Sequence, residues 1–157
     1  MSFMLADGRH RVCQTGLEIR ASPVEDRRET MMFADTRAFS GFAVDDIQRA
    51  KEFYGGILGL RLSDVPEMSG LMTLHLAGDR DVLVYQKPNH VPATYTILNF
   101  PVKDVDSAVQ ELVGRGVTFE YYEGSDQDAS GVMRGYGPDI AWFTDPAGNI
   151  LSVIHQE

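Results

Sequence analysis

Histidine and cysteine, the side chains that most often hold a transition metal or pass a proton near neutral pH, are few in this 157-residue chain, and they are scattered. The histidines are His10, His75, His90 and His155, and Cys13 is the one cysteine. A divalent cation needs several nitrogen, thiolate or carboxylate donors converging on one point. His10 stands in an N-terminal polar arm, His90 in the connector "KPNHVPAT" and His155 near the C-terminus, so all three read as solvated groups. His75, inside "LMTLHL", is the residue best suited to hidden chemistry, as an acid–base group or a ligand contact. If Gly78–Asp81 forms a two- or four-residue loop, His75 pairs with Val84 and shares its face; a bulge there turns it away. One histidine is no metal site. Cys13 has no neighbouring histidine or helix start to activate its thiol. Unable to form an internal disulfide, it fits a reducing cytoplasm.

The elements that must position these groups are legible in the hydrophobic spacing. Residues 1–30 show neither helical nor strand periodicity and read as a flexible arm. Met31-Met32 offers an alternative start, with that arm as an upstream extension. From Phe39 to Val44 the chain reads as a strand, and Asp45 or Asp46 caps a helix. That helix buries Ile47, Ala50, Phe53, Tyr54, Ile57 and Leu58 before Gly59 stops it. A strand begins at Leu60, and "LMTLHLAGDRDVLVYQ" (71–86) reads as two strands around a turn. After the connector 87–94 the same order returns. Tyr95–Val102 is a strand, Asp104 a cap, and Val105, Ala108, Val109 and Leu112 a helical face ending at Gly116. Strands follow at 117–122 and on either side of "DPAGN" within 140–154. The chain is thus a repeat of two strand–helix–strand–strand–strand modules, at about 37–87 and 94–156 of a domain spanning 31–157.

Composition sets the outer limits. A 43% hydrophobic content fits a globular protein. No run reaches the apolar length of a membrane span, and no signal peptide is read. The net charge of −9 lies wholly beyond residue 30, where 9 basic residues face 18 acidic ones. Such a surface repels phosphate backbones and anionic lipid, so neither nucleic acid nor membrane is expected as a partner.

"VDDIQRAKEFYGGILGLRL" and the closing "FTDPAGNILSVI", set in paired βαβββ modules, resemble the vicinal oxygen chelate superfamily of glyoxalase I, bleomycin resistance proteins and extradiol dioxygenases. The resemblance covers residues 38–155 and implies an α+β fold whose curved mixed sheets surround a cavity. It also implies a homodimer. The family's metal enzymes hold their ion with His and Glu at positions that map here to Phe39, Val84, Ile97 and Ser152. Phenyl and aliphatic groups cannot bind an ion and a neutral serine binds one poorly, so no metal and no cofactor is expected.

The cavity implied by the resemblance would be lined by Phe39, Gly41, Val84, Gln86, Ile97, Asn99, Tyr121, Trp142 and Ser152. Phe39 reads either as a core plug or as a wall of an apolar pocket. Asn99 and Gln86, each two residues beyond a mapped position, could orient a ligand by hydrogen bonds or be satisfied internally. Trp142 shares the face of Ser152 if Asp145–Asn149 forms a three-residue bulged turn. The Gly- and Asp-rich loop 123–139 is a candidate lid, and its "SDQDASG" lacks the spacing of a calcium loop. The function these residues favour is sequestration of a small, largely apolar or aromatic molecule without metal. An acidic body suits a cationic ligand. The alternative is a lyase or isomerase using displaced groups such as His75, Asn99 and Asp139, with or without a divalent metal.

Overall fold

The structure, a computed structural model, describes residues 33–34 and 36–157, so the expected arm at 1–30 lies outside the described residues. Ala38–Glu157 forms one compact unit. In the short described stretch before it, the Thr36 amide and hydroxyl both donate to the Phe33 carbonyl.

Strand β1 (Ser40–Val44) leads into helix α1 (Ile47–Lys51), whose first N–H groups need acceptors. Asp46 supplies one, accepting from the amides of Gln48 and Arg49 at 2.8 and 3.1 Å. Asp104 does the same for α2 (Val105–Gly114), accepting from Ser107 at 3.0 Å. The first helix departs from the single α-helix expected to Leu58: from Glu52 to Ile57 it widens into a π-helical turn. Gly55-Gly56, poor helix formers, lie in this turn. Widening places Phe53 and Tyr54 together in the core, their rings edge to face at 5.2 Å.

Strands β2 (Arg61–Asp64), β3 (Leu71–Leu76) and β4 (Arg80–Gln86) complete the first sheet, ordered β1-β4-β3-β2. Its β1–β4 pair is parallel and the others are antiparallel. The second sheet, from β5 (Thr96–Val102), β6 (Val132–Met133), β7 (Ile140–Thr144) and β8 (Ile150–His155), runs β5-β8-β7-β6 with the same pattern. These are the two βαβββ arrangements expected of the α+β fold.

The strand expected at 117–122 is a correction. Only Phe119 bridges β7, at Phe143, with the Glu120 amide donating to the Trp142 carbonyl. The reason lies in the following loop, which returns Val132 and Met133 to pair with Ala141 and Ile140. They take the far end of the β7 edge, leaving the earlier segment a single bridge.

One face of each sheet is packed into a common core with the helices. Phe42 and Val44 from β1, Met72 and Leu74 from β3, and Val82 and Val84 from β4 meet Leu151, Val153 and Phe143 there. Phe53 approaches Phe143 at 6.4 Å, so the first helix packs on the second sheet. A buried polar cluster fastens the same seam: Tyr54 donates to Asp145, and Asn149 donates to Asp145 and to the Ala43 carbonyl.

Candidate functional site

Because strand residues alternate in direction, the pairing fixes which side chains leave the core. On the first sheet, Gly41 faces Leu83 and Ala43 faces Tyr85 across β1 and β4, on the side opposite Phe42 and Val84. The same open face carries Thr73 and His75 of β3, with Arg61 and Ser63 of β2. On the second sheet the corresponding face carries Asn99, Trp142 and Ser152, the serine fully buried there.

Between the edges of β1 and β5 lies a cavity of about 430 Å³, roofed by the connector at 87–95. Its apolar and aromatic walls come from Phe42, Tyr85, Val91, Tyr95, Ile97 and Leu98. Ser40, Thr96 and Asn149 contribute polar groups, and Lys87 and His90 are its ionisable lining other than the tyrosines. No carboxylate lines it, so the acidic body does not extend into this cavity and the expectation of a cationic ligand gains no support there. Gly41 is required at its edge: a Cβ would sit 2.8 Å from the Leu83 carbonyl oxygen.

The expected site residues separate into groups. Ile97 is the extra residue of a bulge between Thr96 and Leu98, and it lines the cavity as Gly41 does. Asn99, Ser152 and Trp142 do converge, with Ser152 donating to the Asn99 side-chain oxygen at 2.6 Å and Trp142 opposite Ser152. The Trp142 indole donates to Thr96 at 3.1 Å, and Tyr122 meets it edge to face at 5.6 Å. Burial, then the charge of Glu120, pushes the Tyr122 phenol above its ordinary range. Phe39 is 72% exposed, so it is no core plug; it stands just before β1, outside the cavity lining.

Val84 is a correction: it is fully buried opposite Met72, on the core face. The turn Ala77–Asp79 closes β3 and β4 with Leu76 opposite Arg80, which sets His75 against Asp81 and leaves Val84 on the other side. Gln86, on Val84's side, flanks a separate shallow depression with Gly70 and Pro88. Tyr121 is also displaced, its hydroxyl donating to the Ala129 carbonyl at 2.7 Å.

The 123–139 loop is pinned along its length. Gln127 bonds Tyr122, Glu120 and Gly131, while Arg134 ties Asp128 and Asp139 to Asp106 of α2. Asp128 is held down at about 2, first by the Ser130 hydroxyl and further by the amides of Val132 and Ser130 and by Arg134. These partners fill the oxygens that a cation would need, and Asp139 is engaged here, apart from His75.

The family's metal enzymes would need donors at the mapped positions, and the residues present do not fit an ion. With the strand register fixed, the open-face residues nearest the mapped positions are Phe39, Leu83, Tyr85, Asn99 and Ser152. Among the described residues no three His, Cys, Asp or Glu side chains gather as a metal site.

The residues that spacing alone missed are Tyr85, Tyr95 and Thr96 in the cavity and the partners of His75. His75 Nε2 lies 2.8 Å from Ser63 Oγ and its Nδ1 lies 2.9 Å from Asp81 Oδ1. A three-residue reading of Ala77–Asp79, with Gly78 and Asp79 both at positive φ, would have found Asp81.

The family profile described as the Glyoxalase/Bleomycin resistance protein/Dioxygenase superfamily matches residues 37–153. No curated protein matches the sequence. A member of that superfamily from Sphaerobacter thermophilus DSM 20745 is 22% identical, with 77% of this chain and 98% of that one covered at a TM-score of 0.57. TnmS3, an antibiotic binding protein from Streptomyces sp. CB03234, is 21% identical over 78% and 98%, at a TM-score of 0.56. A glyoxalase/bleomycin resistance protein from the same Streptomyces is 24% identical over 74% and 99%, at 0.50. At these identities the likeness is one of fold.

Proposed function

This chain belongs to the Glyoxalase/Bleomycin resistance protein/Dioxygenase superfamily, and from that premise we propose that it binds a small, largely apolar or aromatic molecule without a metal. The observation that carries this reading is the 430 Å³ cavity between β1 and β5, where aromatic walls stand beside the polar side chains of Ser40, Lys87, His90, Thr96 and Asn149. Flat rings suit Tyr85, Tyr95 and Phe42, while Ser40, Thr96 and Asn149 offer orienting hydrogen bonds. The antibiotic-binding TnmS3, similar in fold, supports sequestration over turnover.

The molecule works as a homodimer in this reading. Phe39, Tyr85, Tyr95 and Tyr121 leave aromatic area exposed, and a second copy packed against those rings would cover it. Light scattering on the purified chain should give twice the 17.4 kDa mass; a monomer at tens of micromolar would remove this part.

Thermal-shift screening against acridine, 1-naphthol and naphthalene-1-sulfonate tests the binding itself. A ligand at a hundredfold excess over its Kd stabilises by about 2.7 kcal/mol. Ala93→Trp, which fills the cavity from its roof, should abolish the shift. Equal shifts in both proteins would place binding elsewhere, and no shift with a wide aromatic panel would remove the reading.

A further inference from the structure

On the open face of the first sheet, three strands bring four chemically active side chains together. Arg61 and Ser63 lie two residues apart on β2, His75 is directly opposite Arg61 on β3, and Asp81 is directly opposite His75 on β4. With the imidazole neutral, the carboxylate decides the direction of both hydrogen bonds. Ionised Asp81 can only accept, so the proton it receives at 2.9 Å is on His75 Nδ1. In the neutral ring Nε2 then holds a lone pair, which accepts the Ser63 hydroxyl proton at 2.8 Å. A hydroxyl on the base, and the base oriented by a carboxylate, is the arrangement that turns serine into a nucleophile. Arg61 makes no ion pair or side-chain hydrogen bond among the described residues. Its guanidinium is therefore available for negative charge developing beside Ser63.

We propose that Ser63, His75 and Asp81 form an acyl-transfer centre acting on small esters, separate from the β1–β5 cavity and from any metal. Ser63 Oγ attacks the ester carbonyl carbon and its proton passes to His75 Nε2. The tetrahedral intermediate, its oxyanion facing Arg61, collapses with loss of the alcohol, which takes the proton from Nε2. A water molecule then attacks the acyl-serine and gives a proton to Nε2. Cleavage of the Ser63 ester bond releases the carboxylic acid and returns that proton to Oγ. Asp81 is a positioning residue: it holds the tautomer and touches no substrate. The site is open, with side-chain exposures of 32% for His75 and 56% for Asp81, so water screens its charges and activated esters with good leaving groups are the substrates it suits.

The test uses p-nitrophenyl acetate and a fluorophosphonate probe on the full chain. The expected result is a stoichiometric burst and a phosphonylated Ser63 identified by peptide mass spectrometry. Ser63→Ala should remove both, and His75→Gln should slow the burst at least about 100-fold. Asp81→Asn should slow it and displace the midpoint of its pH–rate profile, which a purely structural role for Asp81 would not do. Ser63→Cys in a Cys13→Ser background keeps the proposal testable if other variants fold poorly: its thiol should react with iodoacetamide at least tenfold faster than the same variant carrying His75→Gln. No labelling of Ser63, or a burst unchanged in Ser63→Ala, overturns the proposal, as does equal thiol reactivity with and without His75.

Discussion

Tyr54 donates its phenolic proton to Asp145 Oδ2 at 2.7 Å, across 91 positions of sequence, where burial leaves no water to compete. Asp145 also accepts from the Ala147 and Asn149 amides and from the Asn149 side chain, which in turn reaches the Ala43 carbonyl on β1. The Asp-Pro-Ala-Gly-Asn turn of the second module is thereby fixed to the first strand of the first. Asn149 is also part of the cavity lining, so the same cluster sets one wall of the proposed site.

Removing that hydroxyl leaves a buried carboxylate short of a donor, so Tyr54→Phe should cost about 1–3 kcal/mol in urea unfolding. The pH dependence has a definite sign. Burial first, and the charge of Asp145 next, push the Tyr54 phenol far above its ordinary range. A group whose pKa is raised on folding contributes stability that is lost as pH rises past the unfolded value, here about 10. Stability should therefore fall above about pH 10, and Tyr54→Phe should flatten that fall. An equal alkaline slope in both proteins would remove Tyr54 from the explanation.

Asp128 gives the opposite sign. Its carboxyl, depressed to about 2 with the Ser130 hydroxyl as the leading cause, supports the 123–139 loop above about pH 4 and loses that support as pH falls towards 2. Protection of the Ser130 and Val132 amides, measured against their intrinsic exchange rates, should drop across that range, an acceleration relative to intrinsic exchange. Ser130→Ala should move the acceleration to higher pH; an unmoved onset would assign loop stability to other contacts.

Gly41→Ala should destabilise by about 1–3 kcal/mol, because its Cβ must push the Leu83 carbonyl away and disturb the β1–β4 pair. Since β1 is one edge of the cavity, aromatic-ligand affinity should fall with it. Retained stability, measured by chemical denaturation, would show that β1 shifts at little cost.

Val84→Ala should cost about 1–3 kcal/mol through lost apolar burial and leave ligand affinity unchanged, because the side chain faces Met72 in the core. A lost affinity with unchanged stability would return Val84 to the cavity face.

Val84 also shows where sequence reading stopped. The βαβββ order, a first cap at Asp45 or Asp46, the Asp104 cap and, given a bulged Asp145–Asn149 turn, the shared face of Trp142 and Ser152 were legible, because apolar period, cap chemistry and the Asp-Pro-Ala-Gly-Asn turn are local signals. Which side of β4 faces the core was not, since one residue in the Ala77–Asp79 turn inverts every assignment along the strand. The π-helical widening at Glu52–Ile57 and the return of Val132 to the β7 edge are likewise settled by tertiary packing. The cavity residues Tyr85, Tyr95 and Thr96 come together through edge-to-edge placement of β1 and β5, which no local pattern encodes.

The most direct test of metal-free binding is isothermal titration of acridine, or whichever panel compound gives the largest thermal shift, into protein dialysed against EDTA and into protein supplemented with zinc. One saturable event with the same Kd in both samples is expected, because the cavity lining offers aromatic walls and no cluster of metal donors. Binding that appears only after zinc is restored would contradict metal-free binding.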